Sequence, residues 1–253
     1  MYAEERQQAI ATKARAEGRV DVTSLAVELD VTTETVRRDL TILERQGLLK
    51  RVHGGAIPVE RLGFEPALAA RDTVMVAEKE RIAKAALAEL PPTGAILLDA
   101  GTTTSRLAES LPADRELTVV TNSLPIALTL SVRPALTVLL VGGRIRGRTL
   151  AAVDAPAVSA LGDLCVEVAF LATNGVSVDR GLTTPDLSEA AVKRAMLRAG
   201  QRRILLADHS KVAAVQLARF GGVSDLDVLI TDSGLDARLA EELQGEGPRV
   251  VRA

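Results

Sequence analysis

The sequence has almost no aromatic residues and a single cysteine. Aromatic side chains make up 2% of the 253 residues, and tryptophan is absent. The core must therefore be aliphatic, and the lack of stacking platforms argues against binding of single-stranded nucleic acid. Cys165 has no second cysteine with which to form a disulfide in the chain. The apolar pattern of residues 166–170 predicts a buried, unreactive thiol, which suits a reducing compartment.

Long apolar runs are also missing. No run approaches the roughly 20 residues that a transmembrane helix needs. Residues 1–18 are charged and lack the apolar stretch of a signal peptide. These features predict a soluble, cytoplasmic protein with no membrane partner. The formal net charge of −2 provides no overall attraction to nucleic acid, so DNA binding would require a local concentration of positive charge.

The amino-terminal sequence is patterned as three helices. The first covers residues 4–16 and ends before Gly18. Thr23 is expected to cap a short second helix, and Thr32 is expected to cap a third, whose apolar side chains recur at spacings of four and three residues. Gly47 suits the position just after that helix. The last two helices, joined by a tight turn, predict a helix-turn-helix.

The third predicted helix presents hydroxyl and guanidinium groups on its outward face. Hydroxyls near a helix start and guanidiniums one turn later are suited to reading base edges in the major groove. A glycine-tipped hairpin follows, and its basic residues would lie near DNA phosphates. A solvated amphipathic helix pair is the alternative, but the complete order of elements favours DNA binding. The predicted DNA-binding residues are Thr33, Glu34, Thr35, Arg37, Arg38, Thr41, Lys50, Arg51 and His53.

The stretch VTTETVRRDLTILERQGLLKRVHGGA, residues 31–56, closely resembles the amino-terminal motif of the DeoR family of bacterial transcriptional regulators. The resemblance implies a winged helix-turn-helix domain, which we place at residues 1–58. It makes the helix after Thr32 the recognition helix. Arg37 and Arg38 lie in the Arg-Arg-Asp-Leu segment of the family motif.

The rest of the chain is patterned as a linker and a second domain. Residues 59–76 begin without sustained periodicity and are predicted to be a linker, and the second domain covers residues 77–253. Runs that are apolar on both faces and rich in Val, Leu and Ile predict an α/β domain with a mainly parallel sheet. The predicted strands are residues 95–100, 117–122, 136–143, 166–174, 202–208 and 227–232.

Small and polar residues follow nearly every predicted strand, at the edge where parallel sheets bind ligands. After Asp99, the sequence GTTT opens a helix. Free N–H groups, a favourable helix dipole and small hydroxyls at such a point suit a phosphate. Glu189 and Lys193 lie one turn apart on another predicted helix and can face the same cleft. A surface ion pair is the alternative interpretation.

This half of the chain resembles the DeoR-family sensor domain, which is similar in fold to ribose-5-phosphate isomerase and glucosamine-6-phosphate deaminase. Family sensors bind phosphorylated sugars, and the stretches LLDAGTTT and GLTTPDLSEAAVKRAM look most like those of the fructose-operon repressors. Ala172 and Ala213 depart from the family at positions where glycine is common. The resemblance assigns to effector binding Asp99, Gly101, Thr102, Thr103, Thr104, Asn122, Asn174, Gly175, Thr183, Asp186, Glu189, Lys193 and Lys211, together with Gly142, Gly143, Asp208 and Ser210.

The residues alone leave other functions open. A sugar-phosphate isomerase could use Asp99, Glu189 and Lys211 as acid, base and electrostatic clamp. A DNA-binding architectural protein could carry the second domain as a scaffold without a ligand. The DNA-binding module favours a regulator, because an isomerase gains nothing from a winged helix.

The sequence therefore predicts a transcriptional repressor without catalytic residues, metal site or cofactor. Its predicted partners are double-stranded operator DNA, a second copy of the chain in a dimer or tetramer, and a phosphorylated sugar. The first choice for the sugar is fructose 1-phosphate.

Overall fold

The computed structural model describes residues 3–17, 19–45, 48–52, 54–58, 65 and 67–253. The chain divides into two compact units, Met1–Arg61 and Leu62–Ala253. The amino-terminal unit has one aliphatic core, and the second unit has two mostly aliphatic cores. In the described part of the chain, no helix is both long and apolar enough to cross a membrane.

The amino-terminal unit is a winged helix-turn-helix. Its three strands form an antiparallel sheet in the order β1-β3-β2. A Cβ added at Gly55 would lie 1.9 Å from the carbonyl oxygen of Val20, so only glycine lets β1 approach the hairpin this closely. The elements are α1 (Ala3–Glu17), β1 (Val20–Asp21), α2 (Val22–Glu28), α3 (Thr33–Arg45), β2 (Leu49–Val52) and β3 (Gly55–Pro58).

The cap predicted for the second helix was wrong. Asp21 caps α2, because its carboxylate accepts hydrogen bonds from the backbone N–H groups of Thr23 and Ser24 at 2.9 and 3.0 Å. The prediction for α3 agrees with the structure, since the Thr32 hydroxyl accepts from the N–H of Thr35 at 3.2 Å. Gly47 lies outside the described residues.

A buried carboxylate fixes α3 against α1. Asp39 lies on the apolar side of α3 and is 2% exposed. It accepts hydrogen bonds from Arg6 Nε at 2.6 Å and from Gln7 Nε2 at 2.9 Å. The charge of Asp39 is therefore neutralised inside the unit, and the outward face of α3 is held in a fixed orientation.

The second unit is the predicted α/β domain. Its helices are α4 (Leu68–Asp72), α5 (Val76–Ala86), α6 (Thr102–Glu109), α7 (Leu124–Ser131), α8 (Ala155–Gly162), α9 (Leu187–Ala199) and α10 (Ala237–Gly245). Its strands are β4 (Gly94–Leu98), β5 (Leu117–Thr121), β6 (Leu136–Leu140), β7 (Arg144–Arg146), β8 (Ala151–Val153), β9 (Val166–Ala172), β10 (Gly175–Ser177), β11 (Gly181–Thr184), β12 (Gly200–Leu206), β13 (Ala218–Gly221), β14 (Val228–Thr231) and β15 (Arg249–Arg252). Short 3-10 turns cover Leu87–Glu89, His209–Lys211 and Val223–Asp225.

Seven strands form one parallel sheet in the order β15-β14-β12-β9-β4-β5-β6. Alternate side chains point to opposite faces, so Leu97 and Leu171 enter one core while Ile96 and Phe170 enter the other. Burial on both faces explains why the inner strands are mostly apolar, and the predicted fold class is confirmed.

Three parts of the second unit differ from what the sequence indicated. Cys165 is exposed rather than buried, because β9 begins only at the next residue. Part of the predicted linker, Glu65 and α4, packs within the second unit, where the N–H of Leu68 donates to the carbonyl of Arg148 at 2.9 Å. The strand β15 and the small β7-β8 and β10-β11-β13 sheets were not predicted.

Candidate functional site

The outward face of α3 carries the predicted DNA-binding side chains. Thr33, Glu34, Arg37 and Arg38 are exposed, and Thr35 and Thr41 are half-buried. All of them except Thr33 border an open concavity of about 770 Å³. The residues that line it are Thr32, Glu34, Thr35, Arg37, Arg38, Thr41, Ile42, Arg45 and Arg51.

Arg51 joins the hairpin strand β2 to α3. Its N–H donates to Glu44 Oε1 at 2.9 Å, and its Nη1 donates to the Thr41 hydroxyl at 3.1 Å. That hydroxyl donates in turn to the carbonyl of Arg37 at 2.8 Å. Arg51 and Thr41 are thus partly engaged in holding β2 against α3. Lys50 is a residue of β2, and the predicted contact His53 lies outside the described residues.

Arg37 and Arg38 are exposed on α3 and make few contacts with the described residues. Arg37 is 3.5 Å from Glu34, but both side chains are more than half exposed, so the pair contributes little. Arg38 has no hydrogen bond or ion pair with any residue that the structure describes. Both guanidiniums can therefore exchange water for DNA at small cost.

The second group of predicted residues meets at the carboxyl ends of β4, β5, β9 and β12. Asp99, after β4, is buried and ion-paired with Lys193 of α9. The Asp99 carboxylate also accepts from the N–H of Ala172 at 3.0 Å, and Lys193 donates to the carbonyl of Ala172 at 2.9 Å. Both charged groups are thus satisfied within the protein, and together they fix the ends of β4 and β9.

The start of α6 forms one wall of this site. A Cβ on Gly101 would lie 2.8 Å from the Cβ of Ala172, so the glycine is required for the close approach of the turn to β9. The Thr104 hydroxyl donates to the carbonyl of Gly101 at 2.9 Å. The hydroxyls of Thr102 and Thr103 have no partner among the described residues, and they stand beside the free N–H groups of the helix start.

Several predicted effector residues instead hold neighbouring loops. Asn122 accepts from the N–H of Ala100 at 3.1 Å and donates to the carbonyl of Ala152 at 3.3 Å. The Thr183 hydroxyl accepts from the N–H of Gln216 at 3.0 Å. A Cβ on Gly175 would lie 2.4 Å from the carbonyl oxygen of Ala214.

The departure at Ala213 also has a structural consequence. Its φ is +62°, in the left-handed region that glycine adopts without strain. The alanine is therefore accommodated in a conformation that glycine would take more readily.

Glu189 is a further buried acid of the site, beside Asp99. Asp186 caps α9 by accepting from the N–H of Glu189 at 3.0 Å. The Glu189 carboxylate accepts from the hydroxyl of Thr149 and from Arg146 Nη1, the latter at 3.2 Å. Burial raises the pKa of Glu189, while Lys193 opposes the shift.

Sequence reasoning missed three charged residues near Glu189 and Asn174, namely Glu65, Arg71 and Arg146. Glu65 is 1% exposed. Its carboxylate is ion-paired with Arg146 and lies 3.0 Å from Arg71 Nη1. It also accepts from Asn174 Nδ2 at 3.0 Å. Arg146 contacts Asp186 as well, at 3.1 Å, so one guanidinium joins three carboxylates when Glu189 is included.

Lys79 is a second cation beside Lys211, and it was also missed. Lys79 is 4% exposed, and its ammonium donates to the carbonyls of Arg71 and Val74. Burial lowers the pKa of Lys79 to about 8, and the positive charges of Lys211 and Arg71 act in the same direction. Asp208, which caps the turn that carries Lys211, opposes the shift.

The pKa of Lys79 predicts a pH dependence of stability. Folded protein loses this proton near pH 8, whereas the unfolded chain retains it up to about 10.5. Because the unfolded state binds more protons in that interval, the free energy of unfolding should gain a contribution that increases with pH. Urea unfolding across this range should show the contribution in the wild type and not in Lys79→Met. The exposed Lys84→Met on the same helix is the control, and parallel curves for the wild type and Lys79→Met would disprove the assignment.

Comparison with known proteins identifies both units. The family profile described as the DeoR-like helix-turn-helix domain matches residues 6–61, and the profile described as the DeoR C terminal sensor domain matches residues 74–233. The HTH-type transcriptional regulator GlpR of Haloferax volcanii is 36% identical over 98% of this chain and 97% of its own length. The HTH-type transcriptional repressor CsqR of Escherichia coli is 32% identical over 92% of this chain and 89% of its own.

A ribose-5-phosphate isomerase bound to phospho-erythronic acid is among the similar solved structures. It has 16% identity and a TM-score of 0.40, and the match covers 53% of each chain. The full-length relatives are named as regulators and not as enzymes, which agrees with the prediction that this chain is not an enzyme. With a helix-turn-helix and a sensor domain that both match, the chain belongs to the DeoR family of transcriptional regulators.

Proposed function

We propose that this regulator is a cytoplasmic repressor that binds operator DNA through α3 and is released from it by a phosphorylated sugar. Fructose 1-phosphate is the first sugar to test. The observation that supports the sensor function is the cluster of anion-binding groups at the strand ends. There the unpartnered hydroxyls of Thr102 and Thr103 stand at the start of α6, on the edge that also carries Lys211.

The outward face of α3 supports the DNA-binding part of the proposal. Arg37 and Arg38 project into solvent beside the threonines of the first turn, the arrangement that major-groove reading requires. The acidic Asp39 does not oppose them, because it is buried and paired with Arg6. The face is therefore more basic than the sequence of the helix suggests.

Removing either guanidinium should weaken operator binding. We expect Arg37→Ala or Arg38→Ala to lose about 1–3 kcal/mol of binding free energy if the side chain contacts a base. The measurement is a fluorescence-anisotropy titration of operator DNA at fixed salt. Arg238→Ala is the matched control, because Arg238 is exposed and paired with a glutamate one turn away, but lies in the sensor domain. Unchanged affinity in both α3 variants would rule out α3 as the recognition helix.

The sensor half is suited to a phosphorylated sugar because two kinds of group lie side by side. The helix start, Lys211 and Lys79 provide N–H donors and positive charge for a phosphate. The polar groups of Asn174, Glu189 and Asp99 provide acceptors and donors for hydroxyls. A ligand here can release DNA only to the extent that it binds the DNA-free conformation better than the DNA-bound one.

Loss of phosphate contacts should produce a repressor that cannot be induced. Lys211→Ala and Thr103→Val should keep the wild-type affinity for operator DNA and require at least about tenfold more sugar phosphate to release it, the equivalent of about 1.4 kcal/mol. A gel-shift titration with fructose 1-phosphate and other sugar phosphates measures this. Lys84→Ala and Thr93→Val remove the same groups from exposed positions elsewhere and are the controls.

Release of DNA from Lys211→Ala and Thr103→Val at the wild-type concentration would place the phosphate elsewhere. If no sugar phosphate alters operator binding by the wild type, the proposed sensor function is wrong.

The outermost strand of the sheet, β6, supports the proposal of a homo-oligomer. Among the residues that the structure describes, no strand pairs with the outer side of β6, and Leu139 and Leu140 on β6 are each 46% exposed. On the adjacent helix α7, Leu128 is 68% exposed, and Val132, which ends that helix, is 81% exposed. An exposed apolar edge strand favours pairing with a second chain.

Charging this edge should dissociate the oligomer. Leu140→Glu and Val132→Glu should shift the chain toward the monomer in size-exclusion chromatography with light scattering at micromolar concentration. Leu187→Glu changes an exposed leucine on α9 and should leave the mass unchanged. A monomeric wild type would contradict oligomerisation, and an unchanged mass of both edge variants would exclude this edge as the interface.

A further inference from the structure

Most hydroxyl groups that border the concavity on α3 already have partners inside the amino-terminal unit. The hydroxyls of Thr32 and Thr35 lie 2.9 Å apart and share a hydrogen bond, and the Thr32 oxygen also accepts from the N–H of Thr35. The Thr41 hydroxyl donates to the carbonyl of Arg37 and accepts from Arg51 Nη1. A contact of these hydroxyls with a base would compete with the bonds that cap α3 and hold β2 against it. Discrimination between bases therefore falls mainly to the charged side chains of α3.

Glu34 is the acidic side chain of this face. It lies in the first turn of α3, and its side chain is 83% exposed. Among the described residues that line the concavity, four are arginines and only Glu34 carries a carboxylate. Its ionic contact within the described chain is with Arg37, at 3.5 Å, and that guanidinium is also more than half exposed. Both groups of the pair are therefore available to a ligand in the concavity.

The other two acidic residues of α3 do not line the concavity. The carboxylate of Asp39 is buried and binds Arg6, and the carboxylate of Glu44 accepts from the N–H of Arg51. Glu34, in contrast, brings a negative charge into a surface that otherwise attracts DNA phosphates. This charge lowers the affinity for DNA of any sequence, because phosphate contacts dominate that affinity. A carboxylate in the first turn also favours the helix dipole, which is the structural role that Glu34 could have instead.

The four bases present different hydrogen-bonding groups in the major groove. Guanine presents two acceptors and thymine presents one, so a carboxylate is repelled by both. Adenine presents a donor next to an acceptor, whereas cytosine presents its N4 amino donor without an acceptor. A carboxylate therefore prefers cytosine, and a guanidinium prefers guanine. Because Glu34 and Arg37 lie one turn apart on the same face, they suit a cytosine and a guanine that are close to each other in the DNA.

We propose that Glu34 determines which base the operator carries at one position, by accepting a hydrogen bond from N4 of a cytosine while Arg37 donates to a neighbouring guanine. This proposal rests on the proposed binding of operator DNA through α3 and adds the base that is selected there. Glu34 attracts cytosine and repels guanine, thymine and phosphate. Its main effect is therefore on specificity and not on affinity.

The first experiment selects binding sites for the full chain from random double-stranded DNA. The wild type and the control Glu242→Gln should enrich a cytosine at one position close to a guanine. Glu242 is also an exposed glutamate paired with an arginine, but it lies in the sensor domain. The amide in Glu34→Gln matches adenine, so the ratio of cytosine to adenine at that position should fall at least about tenfold, with the rest of the site unchanged. Equal base preferences of the wild type and Glu34→Gln at every position would overturn the proposal.

A second experiment tests the hydrogen bond itself. In N4-methylcytosine a methyl group replaces the amino hydrogen that points into the major groove, and the Watson–Crick hydrogen remains. With this base in the selected site, the wild type should bind at least about tenfold more weakly in a fluorescence-anisotropy titration at fixed salt. Glu34→Ala should bind the methylated and unmethylated sites equally, because it has no acceptor for that hydrogen. A similar loss in both proteins, or no loss in the wild type, would also contradict the proposal.

A purely structural role of Glu34 would give a different result. If the carboxylate only stabilised the start of α3, Glu34→Gln and Glu34→Ala would weaken binding to all sequences in the same proportion. The base preference would then stay as in the wild type, and the proposal would be rejected.

The selection also separates this proposal from the proposed function. A motif that is lost in Arg37→Ala and Arg38→Ala, but is the same in the wild type and Glu34→Gln, would keep DNA binding through α3 and reject Glu34 as the residue that reads cytosine. Failure of the wild type to enrich any sequence would reject operator binding and this proposal with it.

Discussion

The buried ion pair between Asp99 and Lys193 is the contact on which the geometry of the strand ends depends. Both partners also bind the backbone of Ala172, one at its N–H and the other at its carbonyl. The end of β4, the end of β9 and the middle of α9 are therefore held at one point. Buried ion pairs often contribute little net stability, because desolvation offsets the attraction. The role of this pair is therefore to position the ends of β4 and β9 relative to α9. The start of α6 comes only three residues after Asp99, so the position of Asp99 also determines where α6 begins.

Much of the fold was predictable because burial on both faces leaves a strong trace in the sequence. All six predicted strands belong to the parallel sheet, and five of them, β4, β5, β9, β12 and β14, lie inside it with an apolar core on each face. The sixth, β6, is an edge strand that was predicted from its aliphatic composition. The strand β15 has no such trace, since it lies at the edge and has an exposed arginine at each end. The cap of α2 was misassigned because Asp21 and Thr23 are both good capping residues, and only the backbone geometry decides between them.

The candidate site was predicted less completely, for a physical reason. Residues that follow parallel strands necessarily meet at one edge, so Asp99, Asn174 and Lys211 could be grouped from sequence. Glu65 and Asn174 are 109 positions apart, and no periodicity links them. Lys79 stands in a charged run that is typical of an exposed helix, yet α5 places it 4% exposed. Contacts of this kind arise from tertiary packing and leave no local pattern.

The exposure of Cys165 makes this chain convenient for site-specific labelling. The thiol precedes β9 and therefore lies at the amino-terminal edge of the sheet, opposite the edge that carries Asp99. With no other cysteine in the sequence, a maleimide dye would attach at one known position, remote from the strand ends. The same accessibility permits a disulfide between two chains under oxidising conditions. Such a covalent dimer would join the chains beside β9 and not at β6. A reducing agent would dissociate the disulfide-linked dimer and leave a non-covalent oligomer through β6 intact.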